Sequence, residues 1–301
     1  MNVLSLFDGI SCGKVALERA GIPVAVYYAS EVDENAIAIS KKHHPDIVQL
    51  GDVTRWREWD IPWECIDLLI GGSPCQGFSS AGKSLNFNDP RSKLFFVYVE
   101  ILDHIRTVNP AVKFLLENVK MKTEWQDVIT EHLGVQPIDI NSKLLSGQNR
   151  PRIYWTNVEN VKPPRDKNIF VADILEDIEQ EETVGMFKKC IRDNVVAQYH
   201  EIVASDKEIH KLRCKSGWQD NKVGILKSPA LRYGNSFCLV KTKDNKVRQI
   251  TITEAERLQT LPDGYTRAEG IALSRRFAAL GNGWTVDVIA HIFSHLPEAV
   301  R

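Results

Sequence analysis

Apolar positions along the first part of the chain fall in short runs separated by stretches with helical spacing. "NVLSLF", residues 2 to 7, is a β-like run that ends in "DGISCG". "KVALERAG" then has helical spacing and a terminal glycine. "VAVYYASE" reads as a second strand, and "DENAIAISKKHH" as a helix that stops before Pro45. "DIVQLGDV" supplies a third strand and "IDLLIGG" a fourth. Strand, loop, helix and strand at this tempo predict a parallel sheet covered by helices.

The pattern continues beyond residue 90. Leu94, Phe95, Tyr98, Ile101, Leu102 and Ile105 recur at three and four residues and form an apolar helix face. "AVKFLLENV" is an apolar strand with polar residues at its C-terminal end, where open α/β sheets place their ligand crevice. "PIDINSKLLS" and "RIYWTN" read as later strands. The texture changes near Val161. "KPPRDKN" is a linker by composition, and residues from about 165 to 245 are more polar and irregular, as in a small second module. Order returns at "ITITEAERLQTLPDGY". Thr251 and Thr253 each have a glutamate three residues on, so a capping box is available in both registers. "TVDVIAHIFSHL" is an amphipathic helix after a Gly-Asn-Gly turn.

Bulk numbers add little but exclude much. With 301 residues, 43% apolar and 26% charged, the chain has the composition of a soluble globule. Its 38 Lys plus Arg balance 39 Asp plus Glu, so a polyanionic partner is neither demanded nor excluded. No apolar span approaches the roughly 20 residues of a membrane helix. The start "MNVLSLFDG" reads as a strand, not a targeting segment, so the protein is expected inside the cell. Cys12, Cys65, Cys75, Cys190, Cys214 and Cys238 are scattered, with no CxxC and no zinc-like cluster. Neither a disulfide scaffold nor a metal site is expected.

Candidate chemistry sits at two places. Cys75 lies in "GGSPCQGFSS", after a proline and within a Gly/Ser run, where structural thiol, metal ligand and nucleophile all remain open. At the other place, Gly9 and Gly13 in "FDGISCG" allow close backbone approach to a ligand. The run is not a clean GxGxxG, and the glycine spacing of a phosphate loop is absent. Glu31 closes the second strand, 22 residues after Gly9, where an acid can accept from both ribose hydroxyls. Asp52 ends the third strand and can accept from an adenine amine. Together they suggest an adenosine ligand. The bland alternative has Glu31 capping a helix and Asp52 filling a turn. A dinucleotide and an adenosyl cofactor both fit.

The ordered set of motifs resembles the cytosine-5 DNA methyltransferases. "FDGISCG" matches the cofactor loop, "SPCQGFS" the proline-cysteine motif, "ENV" at 117 to 119 the acidic motif and "QNRPR" at 148 to 152 the paired-arginine motif. "TEAERLQTLPDGY" matches the helix supporting the recognition domain, and "GNGWTVDVI" the closing motif. The resemblance covers roughly residues 1 to 160 and 246 to 298. "SKLFFVYVEIL", "NRPRIYWTN" and the Trp of "GNGWTV" look like the animal de novo enzymes, whereas the glutamine of "SPCQGFS" follows the bacterial and phage form.

The resemblance implies a Rossmann-like S-adenosylmethionine-dependent methyltransferase fold, with a mostly parallel sheet, helices on both faces and a small target-recognition domain. The domains would be catalytic at 1–164, recognition with linker at 165–245, and a returning C-terminal segment at 246–301. It implies methyl transfer from S-adenosylmethionine to C5 of a cytosine flipped out of duplex DNA. Cys75 would be the nucleophile at C6, presented by Pro74, whose fixed φ restrains the loop. Glu117 would meet N3 and the exocyclic amine, and Arg152 the O2. Asn118 would orient its loop, and Arg150 and Gln148 would brace the loop or touch phosphate. The residue that removes the C5 proton is not named, though water near the cysteine loop is one source. Phe7, Asp8, Gly9, Ser11 and Gly13 would surround methionine and sugar. Glu31 would hold the ribose, Val32 pack on adenine and Asp52 take its amine, with Asn282 in the closing motif.

For DNA, Gln76, Ser79, Lys83, Arg91 and Lys93 lie on or beside the cysteine loop. Lys207, Lys211, Arg213, Lys215, Trp218, Lys222, Lys227 and Arg232 form a candidate recognition face. The short module suggests a short site, CG or another di- to tetranucleotide context. A homodimer and a cognate restriction endonuclease encoded nearby are partners that the resemblance raises. The location would be the cytoplasm of a bacterial or phage-infected cell, or the nucleus in a eukaryote. Two departures stand out. Thr253 replaces the arginine usual before the helix glutamate, and Gly283-Trp284 stands where many bacterial members have a small residue and valine. Trp284 is read as a core or cofactor-wall aromatic. The rival readings are a tRNA cytosine-5 methyltransferase, a catalytically silent DNA-binding regulator, and a dinucleotide oxidoreductase, which cofactor choice would separate.

Overall fold

The structure is a computed structural model that describes residues 1–73, 93–178, 212–214, 217–219, 239–241 and 247–298. The chain forms two compact units. The first comprises Met1–Asn141, Pro151–Arg165 and Gly283–Arg301, and the second Ser142–Arg150 and Asp166–Asn282.

The first unit is built on seven strands: β1 (Asn2–Leu6), β2 (Val26–Ser30), β3 (Val48–Gln49), β4 (Leu68–Gly71), β5 (Lys113–Val119), β6 (Ile138–Asn141) and β7 (Pro151–Thr156). Their order across the sheet is β3-β2-β1-β4-β5-β7-β6. Pairs among β1 to β5 are parallel, and β7 runs antiparallel to both β5 and β6. The sheet is therefore mostly parallel, as the sequence pattern predicts.

Both sheet faces are buried, as a parallel sheet requires. Leu4, Leu6, Leu69, Phe114, Leu116, Ile153 and Trp155 share one core cluster with Phe95, Tyr98, Ile101, Leu102 and Ile105. Those five lie on α3 (Lys93–Val108). Ile129 and Leu133 of α4 (Thr123–Leu133) join the same cluster. Alternation along each strand turns Val3, Leu68, Ile70 and Leu115, all fully buried, to the opposite face. There α1 (Cys12–Arg19) approaches so closely that a Cβ on Gly13 would lie 2.4 Å from the Ile70 side chain. The last helix, α8 (Val286–Phe293), packs on α1, and Arg19 pairs with Asp287.

The remaining helix of this unit, α2 (Glu34–His43), starts at Asp33, whose carboxylate accepts from Asn35 N–H at 2.9 Å. It stops two residues before Pro45, as expected.

In the second unit, α5 (Val171–Ile174), α6 (Ile252–Leu258) and α7 (Leu273–Asn282) accompany a four-stranded sheet. That sheet has the order β11-β10-β8-β9, from β8 (Leu212–Cys214), β9 (Gly217–Gln219), β10 (Leu239–Lys241) and β11 (Val247–Gln249). Its pairings are antiparallel.

Of the two capping registers open in the sequence, α6 uses Thr251. Its hydroxyl accepts from Glu254 N–H at 3.0 Å, and Glu254 accepts from Thr251 N–H at 2.8 Å. Buried Glu256 organises the turn that follows, accepting from Gly264 N–H at 2.6 Å, Thr266 N–H at 2.8 Å and Arg276 at 3.2 Å. One expectation is corrected. Gly281 and Asn282, read as part of a turn, close the last turn of α7. Arg150 accounts for part of that, because its guanidinium donates to Gly281 O at 3.1 Å.

Candidate active site

The C-terminal ends of β1, β2, β4 and β5 carry the polar groups. The loop after β1 is backbone-strained: Phe7, Gly9 and Ser11 all take left-handed φ, at 57°, 59° and 58°. A Cβ on Gly9 would meet nothing within 4 Å, so the space beside it is open. Ser5, Ser11 and Tyr27, all buried, donate their hydroxyls to the Asp8 carboxylate, Ser5 at 2.6 Å and Tyr27 at 2.8 Å. Burial pushes the Asp8 carboxyl up to about 6, against the pull of those three hydroxyls and helped by the nearby charge of Glu31.

Glu31, at the end of β2, binds three backbone N–H groups. Its Oε2 accepts from Gly9 at 2.7 Å, and its Oε1 from Val32 at 2.8 Å and Asp33 at 2.9 Å. A carboxylate has roughly four acceptor positions, so capacity for a ligand hydroxyl remains. Val32 is 68% exposed beside it. Asp52 caps the short 3-10 helix Val53–Glu58, its Oδ1 accepting from both Thr54 N–H and Thr54 Oγ1 at 2.9 Å. The turn role open in the sequence is thus real, and Asp52 Oδ2 has no protein partner among the described residues.

At the end of β5, Glu117 and Arg152 form a buried ion pair. Glu117 Oε1 lies 2.8 Å from Arg152 Nε, and the N–H direction is off the line to the oxygen. Arg152 also donates to Pro151 O at 2.9 Å. Glu117 Oε2 accepts from the Trp284 indole N–H at 3.1 Å. Asn118 reaches across to β4: its amide donates to Ser73 O at 3.3 Å and Ser73 Oγ at 3.2 Å, while its Oδ1 accepts from Val119 N–H at 2.8 Å. Asn118 thus ties the end of β5 to Ser73, two residues past the end of β4.

Two groupings therefore emerge in the first unit. Phe7, Asp8, Gly9, Ser11 and Glu31 come together at β1 and β2, and Glu117, Asn118 and Arg152 at β5 and β7. Gln148, Arg150 and Asn282 belong to the second unit. The Gln148 side-chain amide is fully buried, with neither end hydrogen-bonded among the described residues. Arg150 braces Gly281, and Asn282 is exposed at the end of α7. Arg213 on β8 pairs in register with Trp218 on β9. Lys93 is exposed at the start of α3.

Pro74, Cys75, Gln76, Ser79, Lys83, Arg91, Lys207, Lys211, Lys215, Lys222, Lys227 and Arg232 lie outside the described residues. Among the described residues, no group of His, Cys, Asp and Glu can hold a metal ion, and no helix is long and apolar enough to cross a membrane.

The sequence reading missed Ser5, Tyr27, Ser73 and the Trp284 contact with Glu117. Ser5 and Tyr27 had a signal, as polar atoms inside otherwise apolar strands.

The sheet order, with its polar groups gathered at the strand ends, matches the S-adenosylmethionine-dependent methyltransferase fold of solved structures such as Spodoptera frugiperda DNMT2, TM-score 0.69 at 19% identity over 98% of both chains. The sequence profile of C-5 cytosine-specific DNA methylases matches residues 1–132 and 146–298, and the chain belongs to that family. It is accordingly a DNA (cytosine-5-)-methyltransferase.

Similar curated proteins include Type II methyltransferase M.NlaX of Neisseria lactamica, 28% identical over 99% of this chain and 97% of that protein. Type II methyltransferase M1.ScrFI of Lactococcus lactis subsp. cremoris is 28% identical over 100% of this chain and 79% of its own length. Among solved structures, the Entamoeba histolytica methyltransferase EhMeth superposes with a TM-score of 0.71 at 16% identity, covering 98% of this chain and 97% of that one. S. pombe Dnmt2 methyltransferase gives 0.68 at 18% identity, with 98% and 97% covered. At such identities the likeness concerns the fold.

Proposed function

We propose that the chain methylates a flipped cytosine through a covalent Cys75–C6 adduct, with Glu117 and Arg152 holding the base. The observation that carries this is the buried Glu117–Arg152 pair at the end of β5, tied by Asn118 to the residue that leads into Pro74-Cys75. Cytosine C5 is a poor nucleophile. The Cys75 thiolate adds to C6, and the ring electron pair moves to C5. Glu117 holds a proton at N3 and accepts from the exocyclic amine, while the Arg152 cation favours the charge that develops towards O2. After transfer, loss of the C5 proton to a base returns the electron pair, and the C6–S bond breaks.

The residues at β1 and β2 fit S-adenosylmethionine. Glu31 keeps acceptor capacity for ribose hydroxyls, exposed Val32 offers a face for adenine, and Asp52 Oδ2 can take the adenine amine. The Phe7–Gly13 loop, Asp8 and Ser11 included, would line the methionine and sugar. When bound, the cofactor supplies an electrophilic methyl group.

Residues 165–245 would read double-stranded DNA between the catalytic segment 1–164 and the returning segment 246–301. Arg213, Lys227 and Arg232 would be its DNA contacts, with Gln76 and Ser79 on the cysteine loop and Gln148 bracing its own loop or touching phosphate. The bacterial Type II relatives favour a cytoplasmic enzyme with a cognate endonuclease encoded nearby. A homodimer would widen the DNA footprint.

The test is incubation with labelled S-adenosylmethionine and unmethylated DNA of varied context, followed by bisulfite sequencing. Methyl groups at C5 in one short context, lost in Cys75→Ala and strongly reduced but measurable in Glu117→Ala, are expected. Transfer to tRNA in place of DNA would replace this reading with the RNA one.

A further inference from the structure

Trp284 occupies an unusual place. Its indole N–H points at Glu117 Oε2 from 3.1 Å, while Arg152 holds Oε1. The ring fits because the backbone around it lacks side chains. A Cβ on Gly72 would lie 3.0 Å from the indole nitrogen and 3.1 Å from Glu117 Oε2, and one on Gly13 would lie 3.5 Å from the ring. Thr285, the next residue, caps the buried helix α8, which fixes the backbone from which the ring projects. One indole thus lies beside the first turn of α1 and the end of β4 and bonds the acid on β5.

An indole N–H is a neutral donor with no acceptor capacity, and so is each N–H of a cytosine exocyclic amine. We propose that Trp284 is a positioning residue. Its N–H stands in for the amine of the target base while the pocket is empty, keeps the Glu117 carboxylate turned into the pocket with Arg152, and yields that oxygen when cytosine enters. The proposal rests on the reading of Glu117 as the acid at N3. It gives the Trp of "GNGWTV" a role beyond core packing.

The experiment measures single-turnover methyl transfer and cofactor affinity for Trp284→Phe, in the wild-type and Glu117→Ala backgrounds. Phe keeps the ring face and removes the donor. A lost hydrogen bond to a charged group predicts a fall of about tenfold in transfer, with cofactor affinity within about twofold. Against Glu117→Ala, the same substitution is expected to add less than about twofold, because its target is gone. Gly72→Ala perturbs the same contact from the other side and is expected to behave alike, which covers a Trp284→Phe protein that fails to fold.

Equal losses in both backgrounds would reduce Trp284 to a packing residue and overturn the proposal, as would an unchanged rate. Wild-type transfer by Glu117→Ala itself would remove the catalytic reading of Glu117, and the proposal with it. That result is distinct from a failure at Trp284 alone.

Discussion

Arg152 and Glu117 sit on neighbouring antiparallel strands, two positions out of direct register: Arg152 pairs with Val119, and Glu117 with Tyr154. That offset makes them diagonal neighbours on one sheet face, close enough for a 2.8 Å contact between buried groups. Taking away the cation leaves a buried carboxylate whose donor among the described residues is the Trp284 indole. Arg152→Met is expected to lose about 3 kcal/mol of stability in urea unfolding, and adding Glu117→Gln to recover most of it. Both proteins should be inactive in methyl transfer, so stability and activity separate in the double variant. A double variant no more stable than Arg152→Met would show that the pair contributes little to folding.

Asn118 makes a different kind of link. Its amide donates twice to Ser73, and its oxygen accepts from Val119 N–H. Asn118→Asp keeps the acceptor and loses the donor. It is expected to lower kcat about as much as Asn118→Ala, on the order of tenfold, at unchanged cofactor KM. That corresponds to roughly one hydrogen bond in loop position. Steady-state kinetics on a DNA duplex would check it. Near-normal turnover by the aspartate variant would mean that the Ser73 contacts do not set the loop.

Much of this was legible in the sequence because period and punctuation agree. β1, β2, β4 and β5 are apolar runs with clear stops, and α3 has an uninterrupted buried face. Among the described residues, three helices, α4, α5 and α7, escape the sequence pattern. α4 was overlooked although Gly134 closes it in a left-handed conformation, a signal that was present. α7 ends in Gly281-Asn282, a pair that reads locally as a turn, and tertiary bonds from Arg150 to Gly281 O and from Gln259 to Leu280 O mark the helix end. Asp52 was ambiguous for a physical reason: a helix-capping acid and an adenine acceptor use the same atoms. The Trp284–Glu117 contact spans 167 positions and has no local trace.

The two possible registers of α6 give a sharp comparison. Thr251 carries the cap, and Glu254 completes the box. Thr251→Ala is expected to cost about 1 kcal/mol in thermal or urea unfolding, while Thr253→Ala stays within about 0.5 kcal/mol. Reversed magnitudes would shift the helix start by two residues.

Asp8 predicts a pH dependence of unusual sign. Its carboxyl moves from the ordinary 3.8 up to about 6, chiefly through burial. The folded protein therefore binds its proton more tightly than the unfolded chain does. Between those two values the folded state holds more protons, so this residue's contribution to stability falls as pH rises through the window. Asp8→Asn carries no charge at any pH and escapes the effect. The stability of Asp8→Asn relative to wild type should thus improve from pH 3.5 to pH 7.5 by up to about 3 kcal/mol, the rise in the carboxyl's pKa converted to free energy. The other carboxylates cancel in that difference. Urea unfolding of the two proteins at both pH values supplies the measurement. A difference that stays flat across the range would mean that the three hydroxyls of Ser5, Ser11 and Tyr27 stabilise the charged carboxylate fully and outweigh its burial.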